Sequence, residues 1–456
     1  MPGTDQIDRR SFFTVAGAAT AAAAVFSQPR STADEHTQPG KPNIVFIMAD
    51  DLGWADVGYH GSKIQTPNID LLAAEGVRFD QHYVAPTCTP TRVGLFTGRY
   101  PSRFGVVSPA YGDIFDPDTA TLAGVLADNG YFTAISGKWH MGSPPNCVPR
   151  KYGFDSSYGY FHGQIDPYTH LYKTGVKSWH RNDELIHEEG HATDLITDEA
   201  VRVIEEKQDV PFFLYVAYSV PHYPLDEPDK WTEPYRDVFD NESRRWYAAS
   251  VTHMDAGIGR IVKALEDTKQ RRETLVVFVS DNGGQKSWHN EKYYKGRYAD
   301  KPHEILGDNR PLRGWKGQVY EGGIRVPAVA NWPGALKPGS VKAPVHIVDW
   351  MPTLLGLAQA RANKEFHPDG RDVWPLIRTC AKSAPTRDLY WKTPGARAVR
   401  HGNWKLILGA KNGRCELYNI AADPYEEQDL ADEKADVVSR LRKRIERIQE
   451  RDRERR

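Results

Sequence analysis

The sequence predicts an α/β fold, a large mixed and mostly parallel sheet covered by helices, with a small C-terminal antiparallel-sheet subdomain. Three observations carry this. First, residues 43–48 (NIVFIM), 212–218 (FFLYVAY) and 274–280 (TLVVFVS) are short, nearly continuous apolar runs rich in Val, Ile, Phe and Tyr, the pattern of strands buried on both faces. Second, segments of helical period lie between them: Ile69, Leu72, Ala73 and Val77 mark one, and Trp246, Ser250, Met254, Ile258, Ile261 and Leu265 mark a longer one. Strands alternating with helices imply a parallel sheet covered on both sides. Third, past about residue 375 the texture changes to short strand-like pieces at 398–400, 404–408 and 416–419, separated by Gly-Asn and Asn-Gly turn signals, which read as hairpins. The implied boundaries are 1–40, 41–375 and 376–456.

Composition narrows the function classes. The chain has 456 residues, 59 Lys+Arg against 60 Asp+Glu, and a formal net charge of −1. That balance excludes the broad basic footprint of a nucleic-acid binder. No run of about 18 large apolar residues marks a stable membrane span. Four cysteines, Cys88, Cys147, Cys380 and Cys415, form no CxxC pair, so neither a disulfide scaffold nor a zinc finger is indicated.

The first segment reads as an address. Arg9-Arg10-Ser11-Phe12-Phe13 precedes an Ala-rich apolar run ending at Phe26, followed by a polar stretch to Pro42. This is the pattern of a twin-arginine export signal, which places the mature protein in the periplasm or outside the cell and makes the twin-arginine translocation machinery a partner. At the other end, residues 439–456 carry nine basic and four acidic side chains, read as a solvated helix end.

Ligands of open α/β sheets bind beyond the carboxyl ends of the strands, so the residues after each apolar run come next. The first run leads into Asp50 and Asp51, the second into His222, the third into Asp281 and Asn282. A weaker strand, 131–136, leads into Lys138 and His140. Asp50, Asp51, Asp281 and Asn282 form an all-oxygen set suited to Ca²⁺ or Mg²⁺. Either pair alone is better explained by helix capping or a turn, and a single His such as His140 or His222 by a structural hydrogen bond; it is both pairs at strand ends together that point to a metal.

The segment Cys88-Thr89-Pro90-Thr91-Arg92, continuing to Thr97-Gly98-Arg99, resembles the signature of the type I sulfatases, C-x-P-[ST]-R followed by T-G-[RK], whose cysteine is converted to Cα-formylglycine. Thr91 stands where the family usually has Ser. The resemblance spans residue 42 to about residue 430, and it implies an alkaline-phosphatase-like sandwich whose catalytic part is residues 41–375. It also implies one metal ion, Ca²⁺ with Mg²⁺ as the alternative, on Asp50, Asp51, Asp281, Asn282 and the modified Cys88. Arg92 would hold the formylglycine, Lys138 and His140 match the K-x-H pair, His222 the middle strand-end histidine, and Lys316 the second sulfate-binding lysine. A formylglycine-generating enzyme becomes a required partner.

Motifs at 58–62 (GYHGS), 147–149 (CVP), 280–285 (SDNGGQ) and 310–314 (RPLRG) resemble the N-acetylgalactosamine-4-sulfatase (arylsulfatase B) branch. The implied substrate is a 4-O-sulfated galactose or N-acetylgalactosamine unit of a polysaccharide. The implied chemistry is attack on sulfur by a hydroxyl of the hydrated aldehyde, with Asp281 a candidate base and His222 or Lys316 the acid for the leaving alcohol. His140 then assists elimination of sulfate from the sulfo-enzyme. Residues 286–310, with Trp288, His289, Tyr293, Tyr294, Arg297, Tyr298 and His303, read equally as a sugar-stacking wall or as a surface lid with structural aromatics, and residues 158–172 and 179–181 as a second, weaker wall. Two rivals stay open: a phosphonate or phosphate monoester hydrolase of the same superfamily, separated by an ester assay, and an exported carbohydrate-binding protein without catalysis, separated by calorimetry.

Overall fold

The computed structural model describes residues 40–110, 112–116, 118–288, 304–410 and 413–452. The export signal and most of the aromatic insertion, His289, Tyr293, Tyr294, Arg297, Tyr298 and His303, lie outside the described residues.

The central sheet is built from β1 (Asn43–Ala49), β2 (Val77–Phe79), β3 (Phe132–Lys138), β4 (Ser156–Tyr160), β5 (Trp179–Arg181), β6 (Glu184–Leu185), β7 (Phe212–Ala217), β8 (Thr274–Ser280), β9 (Ala328–Asn331) and β10 (Gly339–Val341). Their order is β10-β2-β9-β8-β1-β7-β3-β4-β5-β6. The five middle strands, β8 to β4, pair in parallel, while β9 and β5 join antiparallel on either side. Alternate residues of β1 feed different cores. Ile44, Phe46 and Met48 pack into one cluster with the Trp350 helix, and Val45, Ile47 and Ala49 into another with the helices Ala192–Glu206 and Glu242–Asp267. Each fully buried side chain of this kind stabilises the fold by about 1.5–3 kcal/mol, which is why the strands read as unbroken apolar runs.

Two boundaries differ from the sequence reading. Val77 is not on the first helix, Pro67–Glu75, but opens β2; Gly76 ends the helix, and a β-branched residue fits the pleat that follows. The strand expected to stop at Ser136 runs on through Lys138, so Lys138 is a strand residue and not part of the loop after it.

A second sheet of four antiparallel strands follows, β11 (Asp388–Lys392), β12 (Ala396–His401), β13 (Trp404–Gly409) and β14 (Cys415–Asn419). β11 was hidden from sequence because its DLYWK mixes charge with apolar residues, while the turns flanking the other three are explicit. The sheet packs into the same unit as the main one, Gly40–Arg456. The basic terminal helix, Ala435–Gln449, is docked, not merely solvated: Val437, Leu441 and Ile445 are buried, and Arg444 pairs with Asp388 at 3.1 Å. Charges dominate its composition, yet three apolar residues at a spacing of four suffice to seal one face.

Candidate active site

Register decides what the strand ends bring together. β1 and β8 pair Ala49 with Ser280, and β7 and β3 pair Ala217 with Gly137, so Asp50 and Asp281 leave neighbouring strands side by side. The amide of Asp281 donates to Ala49 O at 3.0 Å, and the amide of Asp51 donates to Asp281 Oδ1 at 3.2 Å. Asp51 itself has φ 71°, the left-handed region that a non-glycine residue occupies at a cost and that gathers at functional sites.

Each carboxylate has its own cation. Lys138 Nζ donates to Asp50 Oδ2 at 2.5 Å, Lys316 Nζ to Asp51 Oδ2 at 2.7 Å, and Arg92 Nη2 to Asp281 Oδ2 at 2.8 Å. Arg92 also donates to Lys138 O at 3.0 Å and to the Tyr215 hydroxyl at 2.9 Å. Asn282 Nδ2 donates to Asp51 Oδ1 at 2.7 Å. Two buried acceptors are left over, Asp50 Oδ1 and Asn282 Oδ1, with no hydrogen-bond partner. Unpaired buried acceptors are costly. A hard cation would satisfy both, and the surrounding ligand atoms are carboxylate and amide oxygens apart from Cys88 and a nitrogen of His222, so the oxygen-rich set fits Ca²⁺ or Mg²⁺.

The electrostatics agree. Burial pushes the Asp50 carboxyl well above its ordinary value, with Asp281 adding to the rise and Lys138 opposing it. Burial would raise Asp51 as well, yet Lys316 and His222 hold it at about 2. Lys316 is half-buried, and against the cost of that burial Asp51 keeps it charged by raising its pKa. Burial and then the neighbouring Lys316 hold His222 neutral, and burial with Lys138 does the same for His140.

Cys88 is the first residue of the helix Cys88–Thr97, whose N-terminus favours negative charge. One ligand atom from each of Asp50, Cys88 and Asp281 lies within 4.8 Å of the others, and the same holds for Asp50, Asp51 and His222. Burial raises the Cys88 thiol, so an unmodified thiol here is a weak nucleophile. The Thr91 hydroxyl fixes the turn before Cys88: Oγ1 accepts from Ala85 N at 3.0 Å and donates to Ala85 O at 3.2 Å.

Lys316 reaches the site because its loop is tied to the others by backbone. Its amide donates to Gly284 O at 3.2 Å, and Gly317 N donates to Pro86 O at 2.7 Å. A Cβ on Gly283 would stand 1.8 Å from Gly322 O, so only glycine permits that approach. A Cβ on Gly163 would stand 2.6 Å from His140 Nε2, so its absence makes room for that ring.

Sequence reasoning missed two supporting residues. Tyr215 holds Arg92 from inside β7, where an aromatic residue signals only a strand. Asn309 accepts from Gly284 N at 2.8 Å and donates to Gly284 O at 3.0 Å and Gly314 O at 3.1 Å, joining the Asn282 and Lys316 loops; an Asn in a loop carries no signal beyond a turn. The second expected wall is corrected in part: Tyr158, Tyr160 and Trp179 are buried strand residues that pack on one another, while Tyr168 is exposed and His162 and Tyr172, stacked at 4.5 Å, are half-buried. The alternate positions of those strands face the core. Trp288, at the root of the aromatic insertion, stacks on Tyr223 with ring centroids 4.4 Å apart, next to His222.

A carboxylate cluster paired with ammonium and guanidinium groups at a parallel-sheet edge, beside a helix N-terminus, defines an enzyme that handles an anionic ester. Comparison with known proteins names the class further. The sulfatase family model matches residues 42–360, and the C-terminal model of N-sulphoglucosamine sulphohydrolase matches residues 314–451. Arylsulfatase J of Mus musculus is 32% identical, covering 91% of this chain and 78% of its own length. Arylsulfatase A of Homo sapiens is 34% identical, covering 80% of this chain and 74% of its own. The solved structure of Ps i-CgsB in complex with k-i-k-neocarrahexaose matches with a TM-score of 0.81 at 32% identity, over 91% of this chain and 94% of that one. The chain belongs to the sulfatase family: it is a sulfuric ester hydrolase with the alkaline-phosphatase-like fold. Among the described residues no helix is long and apolar enough to cross a membrane.

Proposed function

We propose that the protein removes 4-O-sulfate groups from galactose or N-acetylgalactosamine units of a polysaccharide or its oligosaccharides, using Cα-formylglycine at position 88, after export by the twin-arginine pathway. The observation that supports this most is the setting of Cys88, buried at a helix N-terminus with acceptors of Asp50 and Asp281 within 4.8 Å. A formylglycine-generating enzyme would convert it, giving the position a hydroxyl nucleophile in place of a thiol. A calcium or magnesium ion on Asp50, Asp51, Asp281, Asn282 and residue 88 would supply Lewis-acid neutralisation of the sulfate.

The chain's own groups divide the remaining work. Lys138 and Lys316 offset the sulfate charge. Arg92, fixed by Asp281, Tyr215 and the Lys138 carbonyl, orients residue 88. Asp281 is the base for the attacking hydroxyl. Of the two candidate acids, His222 is held neutral by burial and Lys316, so it must take up a proton before it can pass one to the leaving alcohol. Lys316, held cationic by Asp51, is the better electrostatic clamp. His140, also neutral, takes the proton of the second hydroxyl when sulfate leaves.

The 4-O preference rests on the motifs at 58–62, 147–149, 280–285 and 310–314. Ps i-CgsB, with its bound k-i-k-neocarrahexaose, supports an oligosaccharide substrate. N-acetylgalactosamine-6-sulfatase of Sus scrofa, 33% identical over 74% of this chain, makes the 4-O and 6-O esters the pair to compare. Mass spectrometry of the tryptic peptide 79–92, from protein made alongside a formylglycine-generating system, should show the aldehyde at position 88; an unmodified thiol there would end the catalytic reading. On such protein, sulfate release from 4-O-sulfated units should exceed that from 6-O-sulfated units, and the reverse order would move the substrate assignment.

A further inference from the structure

Histidine and carboxylate side chains converge a second time, on the helical layer and not at the strand ends. His191 caps the helix Ala192–Glu206, Asp194 lies in its first turn, and His253 comes from the middle of Glu242–Asp267. One ligand atom from each of the three lies within 4.8 Å of the others. Glu227, buried, enters from the loop that carries His222. Its Oε2 lies 2.7 Å from His253 Nδ1 and 3.6 Å from His191 Nε2.

These contacts fix the chemistry of the His253 ring. A carboxylate of Glu227 accepts from Nδ1, and against burial the carboxylates of Asp194 and Glu227 raise His253 to about 9, so Nε2 becomes a ligand when the ion displaces its proton. That Nε2 is buried and stands 3.2 Å from Asp194 Oδ1 without the alignment of a hydrogen bond. The ring is packed in place: Trp231 stacks on it with ring centroids 4.8 Å apart, and the His191 ring is tilted against it at 4.8 Å. A carboxylate that orients a histidine from behind, with the distal nitrogen facing a second histidine and a second carboxylate, is the outer-shell arrangement of a metal site. Two imidazoles and one carboxylate suit Zn²⁺, not the hard cation of the strand-end cluster.

We propose that His191, Asp194 and His253 bind one zinc-class divalent ion, with Glu227 orienting His253 and water completing the shell at the half-exposed Asp194. Binding displaces any proton from His253 Nε2 to solvent. His191 Nδ1 accepts from Thr193 N at 3.2 Å and its Nε2 faces Asp226 O at 3.2 Å, so coordination replaces one of these two bonds. The ion joins two helices to the root of the His222 loop, a structural clip separate from the sulfate chemistry.

The test uses the whole protein, stripped with a chelator, saturated with Ca²⁺ and then titrated with Co²⁺ as a spectroscopic stand-in for Zn²⁺. The expected result is one equivalent bound with the intense visible band of a four-coordinate site. Glu227→Gln should weaken binding about 10–100-fold, and Asp194→Asn, at the exposed rim where folding is not at stake, should weaken it at least about tenfold. Asp50→Asn, which disrupts the strand-end cluster, should leave the band in place. No bound Co²⁺ in the Ca²⁺-saturated protein, a band that survives both Asp194→Asn and His253→Gln, or a band lost in Asp50→Asn would overturn the proposal.

Discussion

Two buried charge clusters can be set side by side, the strand-end site and the seam between the two sheets. At the seam Lys405, Glu321 and Glu426 are fully buried, and Lys405 Nζ lies 2.9 Å from Glu321 Oε1 and 2.8 Å from Glu426 Oε1. The Tyr83 hydroxyl donates to Glu321 Oε2 at 2.7 Å, and Glu321 N donates to Glu426 Oε2 at 2.8 Å. Every carboxylate oxygen there faces a hydrogen-bond donor or a cation, Glu426 Oε1 through its ion pair with Lys405 alone. At the strand ends three carboxylates meet three cations, yet Asp50 Oδ1 and Asn282 Oδ1 have no hydrogen-bond partner. A network that serves the fold closes on itself. One that serves chemistry keeps acceptors for something the chain does not supply.

The sharpest way to separate the two clusters is to remove position 88. Cys88→Ala should lower turnover about 10⁴-fold or more, the scale of losing a nucleophile, while the melting temperature stays within a few degrees of the parent. Appreciable residual hydrolysis would defeat the mechanism. Lys405→Met should do the opposite kind of damage: it leaves buried Glu426 without its cation and Glu321 with only Arg325 at 3.7 Å, at a cost of about 3–5 kcal/mol in denaturant unfolding. Unchanged stability would show that the seam tolerates unpaired charge and that the contrast drawn above is false.

Cation dependence comes next in size. Ca²⁺ at about 100 times its dissociation constant should stabilise the protein by about 2.7 kcal/mol, and Asp50→Asn should abolish that gain while sparing the seam. A calcium-induced rise that persists in Asp50→Asn would place the ion elsewhere.

The smallest effect, taken per pH unit, is acid lability at the seam. Burial depresses His82 and His346 to about 3. An unfolded chain protonates these residues near 6.5, so the folded state loses stability as pH falls from 6.5 toward 3 and gains nothing above 6.5. The slope is about 1.4 kcal/mol per pH unit for each. His82→Gln, which keeps an acceptor for Trp350 Nε1 at 2.9 Å, should flatten the acid limb of the stability curve; an unaltered limb would assign it to other groups.

Much of the site was legible because it is local in sequence. Asp50, Asp51, Asp281 and Asn282 follow strands whose apolar runs are unmistakable, and Cys88 to Arg92 is a contiguous motif. Lys316 was legible only through its motif, since it follows no strand. Tyr215, Asn309 and Gly163 were not legible at all: each is an ordinary residue whose importance lies in which distant group it touches. Glu227 and His253 belong here too, 26 positions apart.

By itself the sequence determined the parallel core, the helical layer, the C-terminal hairpins and the oxygen-rich strand ends, because periodicity and polarity are written along the chain. Only the tertiary structure decided the pairing of Asp50 with Lys138, Asp51 with Lys316 and Asp281 with Arg92, and the closure of the seam around Lys405. Those pairings depend on strand register and loop approach over separations of 84 to 265 residues, and no local pattern specifies which of many lysines and carboxylates will meet once the core excludes water.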